Sequence, residues 1–330
     1  MLTQCFVVAN KVNEAKAKKL KSLVICLDLS KAFDCANHDT LLNILEMYGL
    51  RGMCGNLLNS YLKNRRQCVQ VVHKNNKEQI ESVQSCKLDV MYNVPQGSVI
   101  GPHLFILYTN GIQELVESIG GEVVMYVDDT SIIISSENLE ELASKAESII
   151  SELKSFFVSL NLCLNVEKTV CLLFNTSQNL SIEFGNSTIS NVDSTKFLGI
   201  ELTDTLSWEN HCNSVIKCMN KGIFILKQMV GIMDQKDMLK VYFAFINSHL
   251  SYGTILWGNE KLNRESVTKI LRKQKLAIIL QLNLNYNLRF RKEKKKLQNF
   301  VQKTRNSHNS FHVCVKCCDL CKKESNVCKK

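Results

Sequence analysis

Two aspartates stand side by side, Asp128 and Asp129, inside the run "EVVMYVDDTSIIISS". Val123, Val124, Val127, Ile132, Ile133 and Ile134 crowd around them. Strand-forming sequence avoids Asp, and two adjacent carboxylates repel unless something offsets their charge. The segment reads as a hairpin whose turn contains both acids and presents them at a loop tip. Such a hairpin commits its apolar arms to an antiparallel sheet. A lone Asp-Asp is also ordinary turn chemistry, because Asp tolerates turn conformations, so the dipeptide alone leaves both readings open.

The chain has only two prolines, Pro95 and Pro102, and both fall in "NVPQGSVIGPHLF". Ahead of them, "KSLVICLDL" (21–29) reads as a buried strand. "HDTLLNILEMYGL" reads as a helix with Leu41, Leu42, Leu45 and Met47 on or near one face and Gly49 as its stop. "MCGNLLNSYLKNR" is expected to be a second helix. "RQCVQVVHK" and "ESVQSCKLDVMYNV" read as two strands joined by the polar turn "KNNKEQ". One helix is expected over "HLFILYTNGIQELVESIG", ending at Gly120-Gly121. Another covers 137–158, with acidic residues in its first turns as the helix dipole favours. "KTVCLLF" and "STKFLGIEL" read as further strands, and 209–257 turns helical. Strands with interspersed helices make an α+β fold rather than a regular βαβ array.

At 45% hydrophobic residues, 330 residues can bury a large core. No 18-residue uncharged apolar run occurs, so no membrane span is expected. The first twenty residues lack the pattern of a secretory signal. The expected setting is therefore intracellular, nucleus or cytoplasm, and not secreted, with the fifteen cysteines as free thiols. The ten from Cys5 to Cys218 are expected to be buried and inert. The net charge of +10 is unevenly placed: residues 261–330 hold 19 of the 41 Lys and Arg but 4 of the 31 Asp and Glu. The first 260 residues are net acidic, so a polyanion-binding groove there requires local clustering of basic residues.

Asp28 ends the buried run "LVICLD". If that strand lies beside the hairpin in one sheet, Asp28 and Asp128 converge. Hard divalent cations take oxygen ligands and keep positions open for water and phosphate. Two such ions about 3.5–4 Å apart stabilise the attacking and leaving oxygens of an in-line phosphoryl transfer. Such cations would also offset the carboxylate charge. Asp28 could instead cap the turn "LSKAFD". Asp34 reads as a backbone-capping acid ahead of the helix at 38–48 rather than a metal ligand.

In the order of its motifs, the chain resembles the reverse transcriptases of non-LTR retrotransposons, the LINE- or jockey-like elements. "LDLSKAFDCANHDTLL" is similar to the first palm motif of that family, with Asp28 on its metal-binding aspartate. "NVPQGSVIGPHLFILYTNGI" resembles the next motif, "YVDD" the catalytic hairpin, "LNVEKTVCLLF" the motif after it, and "TKFLGIEL" the primer-holding turn. "SHLSYGTILWG" resembles a segment beyond the thumb. The resemblance spans about residues 1–280. It implies a polymerase palm, an antiparallel sheet with packed helices and partial fingers, followed by a helical thumb-like region. The implied divisions are 1–205 for palm and remnant fingers, 206–282 for thumb or post-thumb, and 283–330 for a basic, Cys-rich, disordered tail.

The resemblance also implies roles. Asp28 and Asp128 would ligate two Mg²⁺ ions, with Asp129 nearby and less directly engaged, and Lys168 would assist the leaving pyrophosphate. Phe33 would lie under the sugar and exclude a 2′-hydroxyl; locally it reads equally as a core ring. Pro95, Gln96 and Gly97 would form a turn against template and incoming deoxynucleotide, Gly allowing close backbone approach and Gln offering donor and acceptor. Phe197, Leu198 and Gly199 would hold the primer; a plain strand with a Gly bulge is the other reading. The implied partners are an RNA template, a DNA primer and deoxynucleotides. Against the family pattern, the match starts one helix before the first palm motif. The basic finger strands, the segment before them and an endonuclease domain have no counterpart. An N-terminally truncated enzyme is therefore expected, with activity reduced or lost; the alternative is a dead relic that binds RNA or RNA/DNA hybrid. In the tail, "RFRKEKKK" reads as a solvated charge run or a phosphate contact. His308, His312, Cys314, Cys317, Cys318, Cys321 and Cys328 read either as a chance Cys-rich end or as zinc ligands.

Overall fold

The computed structural model describes residues 1–74, 80–176, 178, 180–184, 187–258 and 260–281. The tail expected over 283–330, its Cys/His cluster included, lies outside the described residues. The chain divides into two compact units, one of Asn10–Val192 and one of Met1–Ala9 with the chain from Asp193. The first helix, α1 (Leu2–Ala17), begins in one and ends in the other. It buries Cys5, Val8, Ala9, Val12 and Ala15, a stripe at helical spacing.

The unit Asn10–Val192 is built on β1 (Lys21–Leu27), followed by the short α2 (Ala32–Cys35), α3 (His38–Met47) and α4 (Gly52–Leu62). Then come β2 (Arg66–Gln67), β3 (Gln70–Lys74), β4 (Ile80–Gln84), β5 (Leu88–Asp89), α5 (Gly101–Thr109) and α6 (Gly111–Ser118). The hairpin β6 (Glu122–Tyr126) and β7 (Asp129–Ser136) leads into α7 (Leu139–Ser159), β8 (Val170–Phe174), β9 (Ser181–Phe184) and β10 (Ser187–Ser190). The main sheet has the order β6-β7-β1-β8, antiparallel throughout. Its central strand is the continuous apolar run, as expected where both faces are covered. Leu23, Ile25 and Leu27 of β1, Ile132 and Ile134 of β7, and Cys171 and Leu173 of β8 line one face. They pack with Phe105 and Tyr108 of α5, Ile112 and Val116 of α6, and the buried stripe Leu142, Ala146, Ile149, Ile150, Leu153 and Phe157 of α7.

The α+β architecture agrees with the reading of the sequence, and several details differ. The single helix expected after Pro102 is two, α5 and α6, broken at Asn110. Gly111 approaches α7 so closely that a Cβ there would lie 2.9 Å from Phe156 Cε2. Met47 is 83% exposed, so α3 buries Leu41 and Leu45 instead. Cys54, Cys68, Cys86 and Cys163 are exposed, against the expectation of ten buried thiols. Burial pushes the thiols of Cys26, Cys171 and Cys212 up to about 11. Every residue of the β3–β4 ribbon is exposed, so neither of its faces has a packed layer.

The other unit holds β11 (Ser194–Phe197) and β12 (Ile200–Thr203), then α8 (Glu209–Met229), α9 (Gln235–Tyr242), one π-helical turn (Phe243–Asn247), α10 (Ser248–Ser251), α11 (Thr254–Trp257) and α12 (Glu260–Gln281). α8 buries His211, Cys212, Val215, Met219, Gly222, Ile223 and Leu226. Gly222 lies against the π-turn, where an added Cβ would sit 2.6 Å from Ile246 Cγ1. Asp234 caps α9 by accepting from the Asp237 amide at 2.8 Å. No helix among the described residues is long and apolar enough to cross a membrane.

Candidate active site

The register of the main sheet positions the acids. β1 pairs with β7 up to Leu27↔Thr130, so one step further Asp28 falls opposite Asp129. On the other side, β1 pairs with β8 up to Cys26↔Val170, and Lys168 lies in the turn that leads into β8, on the side of Asp28. Leu27 belongs to the core and Leu29 packs against it. Side chains alternate along a strand, so Asp28 points to the opposite face. That face is apolar along most of its length, with Val24, Ile133 and Leu172 all buried. Only at the strand ends does it become acidic.

The hairpin tip is tight. Tyr126 pairs with Asp129, which leaves Val127 and Asp128 as a two-residue loop. Val127 has φ +60° and is the only loop residue with positive φ. That pattern belongs to a type II′ turn, a first position usually given to glycine. A β-branched residue there is strained, and strain of this kind gathers at functional sites.

Around Asp28 the backbone is pinned on both sides. Its amide donates to Thr169 Oγ1 at 3.3 Å, and its carbonyl accepts from the Asn165 amide at 2.8 Å. Thr169, itself buried, donates its hydroxyl to the Asn165 carbonyl at 2.8 Å. Lys168 Nζ lies 3.9 Å from Asp28 Oδ2, with side-chain exposures of 70% and 39%. Asp129 titrates above the usual carboxylate range: partial desolvation raises it most, then the charges of Asp128 and Asp28. The three carboxylates therefore share one field at the mouth of the hairpin. Lys168 offsets it weakly, because an exposed pair at that distance is worth about 1 kcal/mol or less.

No three His, Cys, Asp or Glu side chains among the described residues converge into a ready-made metal cluster. Mg²⁺ does not require one, since it commonly takes one or two carboxylates and completes its shell with water and substrate phosphate. The donor set of hard oxygens, and a carboxyl raised by desolvation and then by its anionic neighbours, fit such an ion.

The other expected residues fall on two further features. Val94 N–H donates to Phe33 C=O at 2.8 Å and Asn93 N–H to Ala36 C=O at 2.9 Å, which ties α2 to the segment before Pro95. Pro95–Ser98 form a turn, with Ser98 N–H donating to Pro95 C=O at 3.3 Å and Gly97 at φ +76°. A positive φ at the third position identifies a type II turn, where Gly is the natural occupant. Nothing lies within 4 Å of where a Gly97 Cβ would be, so the turn is open above. Phe33 is half-buried, its ring stacked on Phe105 at 4.9 Å. Its packing role is thus observed, and the stack holds the ring fixed. Asp34 does not cap the helix at 38–48. Asn37 does, accepting from the Thr40 amide at 3.0 Å. Asp34 instead accepts from Gln96 Nε2 at 3.1 Å.

In the other unit, Phe197, Leu198 and Gly199 form a tight hairpin rather than a strand with a bulge. Phe197 pairs with Ile200, leaving a loop of Leu198 at φ +46° and Gly199 at φ +82°. Tyr252 donates its hydroxyl to the Leu198 carbonyl, and its ring lies against Gly199. Sequence reasoning missed Thr169, Asn165 and Tyr252. The first two carry a local signal, an Asn four residues ahead of a Thr whose side chain bonds backward along the chain.

Comparison with known proteins gives the family. The family model described as reverse transcriptase (RNA-dependent DNA polymerase) matches residues 2–202. The chain is 24% identical over 287 residues to the RNA-directed DNA polymerase from mobile element jockey of Drosophila funebris, covering 81% of this chain and 30% of that protein. It is 24% identical over 250 residues to the probable RNA-directed DNA polymerase from transposon BS of Drosophila melanogaster, covering 71% and 26%. It is 23% identical over 193 residues to the Pol polyprotein from type-1 retrotransposable element R1 of Nasonia vitripennis, covering 54% and 57%. The chain thus spans about a third or less of the length of the jockey and BS proteins. Among solved structures it is similar to telomerase from Candida albicans in complex with a fragment of telomeric RNA, at 11% identity and a TM-score of 0.42, covering 88% of this chain and 52% of that one. The matched span contains the acid-bearing strand end, the Pro-Gln-Gly turn, the Asp-Asp hairpin and the tight turn at Leu198-Gly199. On that breadth of match the chain belongs to the reverse transcriptase family.

Proposed function

We propose that this chain is the polymerase portion of a non-LTR retrotransposon reverse transcriptase. The proposed reaction is template-directed addition of deoxynucleotides to a primer 3′-hydroxyl, with RNA as template. One observation carries the reading: the β7-β1 register delivers Asp28 and Asp129 to one end of one sheet face, with Asp128 at the adjoining loop tip and Lys168 Nζ 3.9 Å from Asp28. Residues 1–205 would form the palm with remnant fingers, and 206–282 the thumb-like part.

Two Mg²⁺ ions, when bound, would acidify the primer hydroxyl and neutralise the phosphates of the nucleotide. Asp28 and Asp128 would supply their oxygen ligands, with Asp129 alongside. Lys168, 3.9 Å from Asp28, can present an ammonium to the leaving pyrophosphate. Phe33, fixed by its stack on Phe105, would form the floor beneath the sugar and exclude a 2′-hydroxyl by volume. Gln96 and Gly97 sit at the corner of an open turn where nucleotide and template can approach the backbone closely. The Leu198-Gly199 turn would hold the primer end.

Primer extension with purified protein tests the reading. Extension with Mg²⁺, its loss in EDTA, and its loss in Asp128→Asn and Asp28→Asn are expected. Wild-type-like extension by either variant would remove the assigned roles. Salt-sensitive RNA binding without any extension would instead favour a relic that only holds nucleic acid.

A further inference from the structure

Asp34 makes a contact that none of the roles above uses. The segment from α2 to the first residue of α3 is tied by backbone bonds to residues 91–94. Val94 N–H reaches Phe33 C=O, Asn93 N–H reaches Ala36 C=O, and His38 N–H reaches Met91 C=O at 3.4 Å. His38 Nε2 and the Asn93 carbonyl lie 2.8 Å apart and add a side-chain tie. These bonds fix Asp34 beside the Pro-Gln-Gly turn, where Gln96 Nε2 donates to its Oδ1 at 3.1 Å.

The chemistry of this pair has a direction. An ionised carboxylate only accepts hydrogen bonds, whereas an amide offers a donor end and an acceptor end. Asp34 therefore selects one of the two amide orientations of Gln96, NH₂ toward α2 and C=O away from it. Gln96 occupies the second position of the type II turn, next to Gly97, above which the structure is open. Without Asp34 the amide could rotate freely between its two faces, and a donor and an acceptor would compete for the same contact.

We propose that Asp34 is a positioning residue that orients the Gln96 amide, so that the Pro-Gln-Gly turn presents a fixed hydrogen-bond acceptor to a donor on the nucleotide or template. The inference rests on the polymerase reading for its use, and on the Asp34–Gln96 bond alone for its geometry. Phe33 and Asp34 then act as a unit. Consecutive residues of one helical turn supply a floor ring and the group that orients the amide. Asp34 touches neither metal nor substrate in this assignment.

Two measurements test the two parts separately. In ¹⁵N-labelled full-length protein, the side-chain amide signals of Gln96, identified by their loss in Gln96→Met, should shift as the Asp34 carboxyl titrates. That shift should vanish in Asp34→Ala. Signals that ignore both the titration and the substitution would overturn the contact. In primer extension, Asp34→Ala should raise the KM for deoxynucleotide about three- to tenfold while kcat stays within about twofold. Gln96→Glu sets two carboxylates against each other and should be worse. The swap Asp34→Asn with Gln96→Glu restores a donor facing a carboxylate and should recover most of the loss. An unchanged KM in Asp34→Ala, or a swap no better than Gln96→Glu alone, would overturn the role. If the wild type extends no primer, the polymerase reading fails, and the positioning role fails with it; the amide titration still decides whether the contact exists.

Discussion

Thr169 offers a sharp test of how the site is held. Its hydroxyl does two things at once. It accepts from the Asp28 amide at 3.3 Å and donates to the Asn165 carbonyl at 2.8 Å. Thr169→Val keeps the shape and removes both bonds. The lost hydroxyl bond costs about 0.5–1.5 kcal/mol, and the stranded Asp28 N–H costs about 1–3 kcal/mol. A total of about 1.5–4.5 kcal/mol lowers the melting temperature of a unit this size by roughly 3–18 °C at about 2–4 °C per kcal/mol. Thr169→Ser keeps the hydroxyl and loses one methyl, about 0.8 kcal/mol of buried apolar surface. Catalysis should fall further than stability accounts for. A displacement of about 1 Å at a reacting group can cost on the order of a hundredfold in rate, and Asp28 is the residue displaced. The assay is primer extension well below both melting midpoints, beside thermal melts of wild type, Thr169→Ser and Thr169→Val. Expected are near-native rates for the serine variant and a rate loss of tenfold or more for the valine variant. A valine variant matching wild type in both assays would refute the claim that this hydroxyl clamps Asp28.

Two further outcomes follow from the same physical reading. Asp129 has its carboxyl pKa raised, chiefly by desolvation and then by Asp128 and Asp28, so between the ordinary carboxylate pKa and that raised value the native state holds a proton that the unfolded chain has lost. Stability then falls as pH rises through that raised value. Asp129→Asn should melt higher than wild type at pH 7, the difference should close in acid near the ordinary carboxylate pKa, and Mg²⁺ should stabilise the wild type more. A lower-melting variant at pH 7 would contradict the shared field. Gly253 has φ +66°, and an added Cβ would press on buried Ile200 Cδ1. Gly253→Ala should therefore destabilise by about 2–4 kcal/mol from strain and overpacking together, measured by denaturant titration. Ile200→Val should recover part of that loss, and no recovery would place the cost in the backbone alone.

How much of this was legible in the sequence depended on the range of the interaction concerned. The strand ending at Asp28 and the Asp-Asp hairpin were readable, because each is a short apolar run closed by residues that cannot continue it. Their adjacency was only a conditional inference, since pairing β1 with β7 joins segments more than a hundred residues apart. The break between α5 and α6 had a local mark, the Asn110-Gly111 dipeptide, whereas the close approach of Gly111 to Phe156, on a helix much later in the chain, was not legible. Asp34 misled because its local context suits a capping acid. The residue that won the cap, Asn37, lies directly before the helix, and Asp34 was left for a partner 62 positions away. The exposed cysteines were misread because an apolar neighbourhood in sequence does not say which residues a packed layer covers: Cys54 lies on α4, Cys68 and Cys86 flank the β3–β4 ribbon, and Cys163 lies between α7 and β8.

The site is costly to the protein that carries it. Val127 sits in a turn position that suits glycine. Asp129 has its carboxyl pKa raised, by desolvation first and then by two neighbouring acids. The only cation within ion-pair reach of Asp28 among the described residues is the exposed Lys168. A fold selected for stability alone would replace these acids with Asn or Ser and the valine with Gly. Their co-occurrence at one strand end is the signature of a site whose balance is completed from outside. A divalent cation would do so directly, since it supplies the positive charge that the surrounding residues leave short. Metal affinity and folding stability should then be linked through the same carboxylates: each acid removed stabilises the free protein and weakens its response to Mg²⁺.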